Sequence, residues 1–136
     1  MSIGSPADWK GLRRAARVAR RTLAAPEACV RPGVSTADLD RVAARVFARH
    51  GARSAPAGVY GFPGTVLISV NDELVHGLPR RRSLEWGDLV KLDVTVEKEG
   101  YVLDAARSVL VGAGSETARR LVACVEAAFR AALPVA

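Results

Sequence analysis

The chain has 136 residues, 49% of them hydrophobic and 25% charged, a composition that builds one globular domain and excludes disorder. No apolar run approaches the roughly 20 residues of a membrane span, so no membrane partner is expected. An excess of 20 basic over 14 acidic residues, +6 net, permits weak association with polyanions. The arginines are spread over helix faces and aromatics are only 5%, which argues against a base-stacking nucleic-acid surface; solvated helix faces and no nucleic-acid partner are expected.

The N-terminal stretch MSIGSPADWKGLRRAARVARR lacks the continuous apolar segment of a secretion signal. It is arginine-rich like a transit peptide, but Asp8 and its periodicity favour a folded helix. Ser5 can cap that helix, Pro6 suits its first position, and Asp8 complements the dipole. Trp9, Leu12, Ala16, Ala19 and Leu23 form the expected apolar stripe, and Pro26 the expected stop. After VRPGVST comes a second helix, capped by Ser35 or Thr36, with Leu39, Val42, Ala43, Val46 and Phe47 inward and Gly51 at its end. His50, in its last turn, complements the negative end of the dipole.

Residues 51–63 are rich in Gly, Ala and Pro without period and read as loop. Thr65 to Asn71, TVLISVN, reads as a strand; the segment DELVHGLPRRRSLEWGD that follows contains His76 and a Trp86-Gly87-Asp88 turn. Two strands then run through LVKLDVTVEKEGYVLDAARSVLVG. A last helix, capped by Ser115 and ended by Pro134, places Leu121, Val122, Val125, Phe129 and Leu133 on one face. The order predicts an α+β fold with helices on one face of an antiparallel sheet, and no internal repeat is evident. Cys29 and Cys124 form no CxxC pair and lie in apolar surroundings, which predicts buried free thiols and a reducing cytoplasm.

Asp93 and Asp104 interrupt β-branched runs, where Asp is disfavoured and a buried carboxylate is costly. If Glu97 to Gly100 form a symmetric four-residue loop, Asp93 faces Asp104 directly. A two-residue Glu99-Gly100 turn makes the pair diagonal and still on one face, because the side-chain period is two, whereas a three-residue loop without a compensating bulge puts them on opposite faces. Facing carboxylates repel unless one is protonated or a cation lies between them. Divalent metals suit such a pair. Alternatively, one Asp faces solvent at a strand end or is paired by Arg107 or Lys91.

The blocks YGFPGTVLISVNDELVHGLP, GDLVKLDVTV and GYVLDAARSVLVG, with RPGVSTADLD before them, resemble the type I methionine aminopeptidases over nearly the whole chain. That resemblance implies the first half of a pita-bread fold, a curved antiparallel sheet covered by helices, with residues 1–136 as one domain corresponding to the N-terminal half. It implies removal of N-terminal methionine from new polypeptides in the cytoplasm, with two divalent ions (Co, Mn, Fe or Zn) and an activated water. The family's ligands run Asp, Asp, His, Glu, Glu. The first matches Asp93, chelating one ion; the second matches Asp104, bridging both. The substrate-contacting histidine matches His76.

Gly61, Phe62 and Pro63 match the family's methionine pocket, but Leu67 stands where Cys or Thr is common. Ala105 replaces a small polar residue after the second Asp, removing a hydrogen bond to the metal cluster. No histidine follows Asp104, and the only later acids are Glu116 and Glu126. The residues present supply two of five ligands, so the chain is expected to be inactive alone. It would act with a complementary C-terminal half or as a homodimer. The alternatives are a non-catalytic half-fold that binds peptides or partners, and the remnant of a frameshifted gene.

Overall fold

A computed structural model describes residues 3–135; Met1, Ser2 and Ala136, the ends of the expected 1–136 domain, lie outside the described residues. Helix α1 (Pro6–Glu27) begins as its sequence dictates, with the Asp8 N–H donating to Ser5 Oγ at 3.2 Å and Pro6 in the first turn. Its inward face is Gly11, Ala15, Val18, Ala19, Thr22, Leu23 and Pro26, so the expected stripe is rotated and Trp9 stands 58% exposed. The cause is Tyr101. Its ring packs so closely on Gly11 that a Cβ there would lie 2.1 Å from a ring carbon, and its hydroxyl donates to Asp8 Oδ1 at 3.0 Å. Only a glycine face admits that ring. Pro26 does not stop the helix, which continues one residue further; in the last turn its missing N–H costs a single bond.

Helix α2 (Thr36–His50) opens on a capping box, Ser35 with Asp38, and ends at Gly51 in the left-handed region, φ 56°. The expected loop at 51–63 instead contains strand β1 (Arg53–Ser54) and helix α3 (Ala55–Tyr60). Ser54 caps α3 and Gly61 closes it at φ 71°. Tertiary pairing makes β1, whose Arg53 lies opposite Glu97 and donates to its Oε2 at 2.8 Å. Strand β2 is shorter than expected, Leu67–Val70, because the N–H groups of Thr65 and Val66 both donate to Asp40 Oδ1, at 2.7 and 2.9 Å. Asn71 turns the chain away with φ 57°.

Strand β3 (Leu89–Lys98) is the centre of the sheet. Antiparallel β4 (Tyr101–Leu110) pairs along one side, and β2 and β1 share the other. Val90, Leu92, Val94 and Val96 point into a core with Ile68 of β2, Val18 and Ala19 of α1, and Leu39, Ala43 and Phe47 of α2. Alternation along β3 therefore buries one face under α1 and α2, as the sequence predicts. Cys29 packs half-buried against this core.

Helix α4 (Glu116–Ala132) forms where expected but buries nothing. Its apolar stripe is exposed at Leu121, Val125 and Phe129 (56, 67 and 66%), and Cys124 is exposed rather than buried. Helical period alone predicts a stripe; burial requires a surface to receive it. The outer edge of β4 likewise has no partner strand among the described residues. No described helix is long and apolar enough to cross a membrane.

Candidate metal centre on the open face of the sheet

The face of β3 turned away from the helices carries Lys91, Asp93 and Thr95. Its register with β4 is fixed by the two-residue turn Glu99-Gly100, both at positive φ (55° and 83°), the pairing of signs that suits strand twist. The symmetric four-residue loop is thereby excluded. Asp93 lies opposite Ala106, and Asp104 opposite Thr95. The two aspartates are diagonal neighbours on one face, where backbones lie roughly 7–8 Å apart and side chains reach each other.

Burial pushes the Asp93 carboxyl above its ordinary range, and the charge of Asp104 adds to the effect; His76 and Lys91 act in the opposite sense. Asp93 Oδ1 is buried without a hydrogen-bond partner. Asp104 Oδ1 accepts from Thr95 Oγ1 at 2.6 Å. Neither basic candidate forms an ion pair with Asp93 or Asp104. Arg107 points to the other face, where it binds Glu27 at 2.8 Å, and Lys91 donates to the Leu74 carbonyl.

His76 is brought to the same place by its neighbour Gly77. The Gly77 carbonyl accepts from Ile68 N–H at 2.9 Å, and its N–H donates to Ser69 Oγ at 3.1 Å. A Cβ at Gly77 would lie 2.1 Å from the Ile68 carbonyl oxygen, so only glycine permits this approach. His76 itself, at φ 57°, stacks on Tyr60 with centroids 6.0 Å apart and planes at 22°. Tyr60 meets the buried Phe62 edge-on at 6.4 Å. Leu67, 2% exposed, lies opposite Asp93 and so faces the site. An apolar patch of Leu67, Phe62 and Tyr60 thus adjoins two carboxylates and an imidazole.

All three residues singled out by sequence, His76, Asp93 and Asp104, converge. Ala105 does not belong with them: it packs against the core, on the opposite face from Asp104, so no side chain at 105 reaches the carboxylates across the sheet. Three contributors escaped the sequence. Thr95 carried a legible sign, two residues beyond Asp93 and hence on its face. Tyr60 sat in a segment read as loop, and the role of Asp40 depends on a contact 25 residues away.

Two carboxylates, one with an orphaned buried oxygen, fit an oxygen-liganded divalent ion. They do not complete its shell. Among the described residues no cluster of three or more His, Cys, Asp or Glu is placed to hold a metal.

Comparison with known proteins gives this arrangement a lineage. The model of metallopeptidase family M24 matches residues 10–136. The chain belongs to metallopeptidase family M24. Among its M24 relatives, the methionine aminopeptidase of Helicobacter pylori strain 26695 is 41% identical over 124 residues, 91% of this chain and 49% of that protein. Methionine aminopeptidase 2 of Bacillus subtilis is 37% identical over 134 residues, 98% of this chain and 54% of that protein. The crystal structure of the Rickettsia prowazekii methionine aminopeptidase superposes with a TM-score of 0.84 at 32% identity, covering 90% of this chain and 49% of that one. Prolidase from Pyrococcus furiosus, at 20% identity and a TM-score of 0.72, shares the fold. The helices and antiparallel sheet are those of the pita-bread fold, and the chain spans about half the length of the curated relatives it matches.

Proposed function

We propose that this chain contributes the two-aspartate part of a methionine aminopeptidase centre, which removes N-terminal methionine from new polypeptides in the cytoplasm. The observation that carries the reading is the diagonal pair Asp93 and Asp104, with Asp93 Oδ1 buried and unpartnered beside a second carboxylate. Asp93 and Asp104 would hold divalent ions of the kind the family uses (Co, Mn, Fe or Zn). When bound, such ions supply an activated water and polarise the scissile carbonyl.

The chain's own residues do the rest. His76, held by Gly77 and stacked on Tyr60, donates a hydrogen bond to the substrate amide as charge develops. Phe62, Tyr60 and Leu67 receive the methionine side chain, and Leu67 makes that receptacle narrower than a Cys or Thr would. Thr95 fixes the orientation of Asp104. No residue present takes the part of the remaining ligands, since Glu116 and Glu126 are exposed on α4. These 136 residues alone therefore do not turn over. The open edge of β4 and the bare stripe of α4 favour completion by a complementary C-terminal half, or by a second copy.

The test is an assay of the purified chain on a Met-Ala-Ser peptide with Co or Mn, alone and mixed with the C-terminal half of a relative. Turnover is expected only in the mixture, and only with Asp104 intact. Turnover by the chain alone that Asp104→Ala abolishes would overturn the claim of incompleteness; none in any mixture would overturn the assignment.

A further inference from the structure

Helices α1 and α2 cover the back of the sheet, and the sides they turn to solvent are predominantly basic. On α1 the exposed positions Lys10, Arg13, Arg17, Arg20 and Arg21 recur every three or four residues and make one stripe. On α2, Arg41, Arg45 and Arg49 do the same. Arg21 Nη1 lies 3.2 Å from His50 Nε2, in the last turn of α2, so the two stripes meet.

Nearby carboxylates are engaged elsewhere. Asp8 is held by Tyr101 and Ser5, Glu27 by Arg107, and Asp40 by the backbone of Thr65 and Val66. Glu99 is shared by Arg14 and Lys98. Only Arg41 finds an acid, Asp38; among the described residues Lys10, Arg13, Arg17, Arg20, Arg45 and Arg49 form no ion pair. Like charges four apart on a helix, such as Arg13 with Arg17 or Arg45 with Arg49, destabilise it. Acids are few on this face and the six unpaired cations outnumber them, so a polyanion relieves their repulsion.

We propose that the α1/α2 face binds the phosphate backbone of duplex RNA. Arginine, which outnumbers lysine here, forms bidentate hydrogen bonds with phosphate. The spread of arginines along the sequence disfavours a base-stacking surface, and the structure agrees, since Trp9 is the lone aromatic on the face; single strands are not its ligand. Nor can the face insert in lipid, because the apolar side of α1 is committed to the core. Helix α1 is sunk along its length against the sheet, so it cannot enter a DNA major groove as recognition helices do. The wide, shallow minor groove of A-form RNA, rimmed by phosphates, presents itself to a broad surface instead. Binding here leaves the opposite face, with Asp93 and Asp104, open, and it is independent of the aminopeptidase reading.

The test uses the full 136-residue chain and a labelled RNA duplex of roughly 20 base pairs, followed by fluorescence anisotropy. With about five phosphate contacts, affinity should fall about 500-fold between 50 and 200 mM salt. The variant R13E/R17E/R20E should bind at least tenfold more weakly with a salt slope flatter by about three, while the charge-matched R81E/R120E/R130E stays within about twofold. Circular dichroism verifies that both are folded, and the milder Arg17→Gln, lowering the slope by about one, serves if the triple variant is not. A DNA duplex should bind more weakly than RNA. Equal loss in both triple variants, equal affinity for DNA, or binding confined to phosphatidylserine vesicles would each overturn the proposal.

Discussion

Gly77→Ala should unseat His76 without touching a carboxylate. The added Cβ would lie 2.1 Å from the Ile68 carbonyl oxygen, 2.6 Å from its carbon and 2.7 Å from Ser69 Cα. All three are backbone atoms of β2, which is pinned by its register with β3, so the 76–77 segment must withdraw. Withdrawal breaks the Ile68 N–H to Gly77 carbonyl bond (2.9 Å) and the Gly77 N–H to Ser69 Oγ bond (3.1 Å). Two hydrogen bonds at about 1 kcal/mol each, plus 1–2 kcal/mol for buried groups left unpaired, give roughly 3–4 kcal/mol. For a chain of this size that is a fall in Tm of roughly 10–15 °C. Thermal unfolding followed by circular dichroism measures it. Ser69→Ala, which removes one bond only, should cost about 1 kcal/mol and lower Tm by about 4 °C. A Gly77→Ala protein melting within about 2 °C of the parent would refute the close approach.

Acid should act on α2. Ser35, first, and Arg41 hold the Asp38 carboxyl at about 2, below 3.8. A folded-state value below the unfolded one gives stability that is present above about pH 4 and lost as pH falls towards 2. Asp38→Asn should flatten the dependence of the urea midpoint on pH in that window, and an unchanged slope would contradict the capping box. On α4, Val125→Glu with Phe129→Glu should leave folding stability within about 0.5 kcal/mol, since both side chains are exposed, and should reduce self-association in sedimentation. A parent that is already monomeric would show that the stripe needs no cover.

What was legible follows from how local each cause is. Ser5-Pro6-Asp8, the Ser35 to Asp38 capping box and Gly51 act within one turn, so the starts of α1 and α2 and the end of α2 stand in the sequence. The shared face of Asp93 and Asp104 follows from parity for any even-length loop, but the loop length and register awaited the positive φ of Glu99 and Gly100. Trp9 misled because the rotation of α1 is set by Tyr101, ninety-three residues from Asp8. The segment 53–60 acquired structure from Glu97 and Val96, and Tyr60 reached His76 only through it. Such long-range contacts leave no period to read.

The central claim is that Asp93 and Asp104 form a metal-binding carboxylate pair, and titration of the purified chain with Mn, followed by electron paramagnetic resonance, tests it most directly. One weak, saturable class of bound Mn is expected in the parent, lost in Asp93→Asn/Asp104→Asn and retained in a control such as Asp72→Asn on the exposed loop. Binding of equal strength in the double variant would contradict the account.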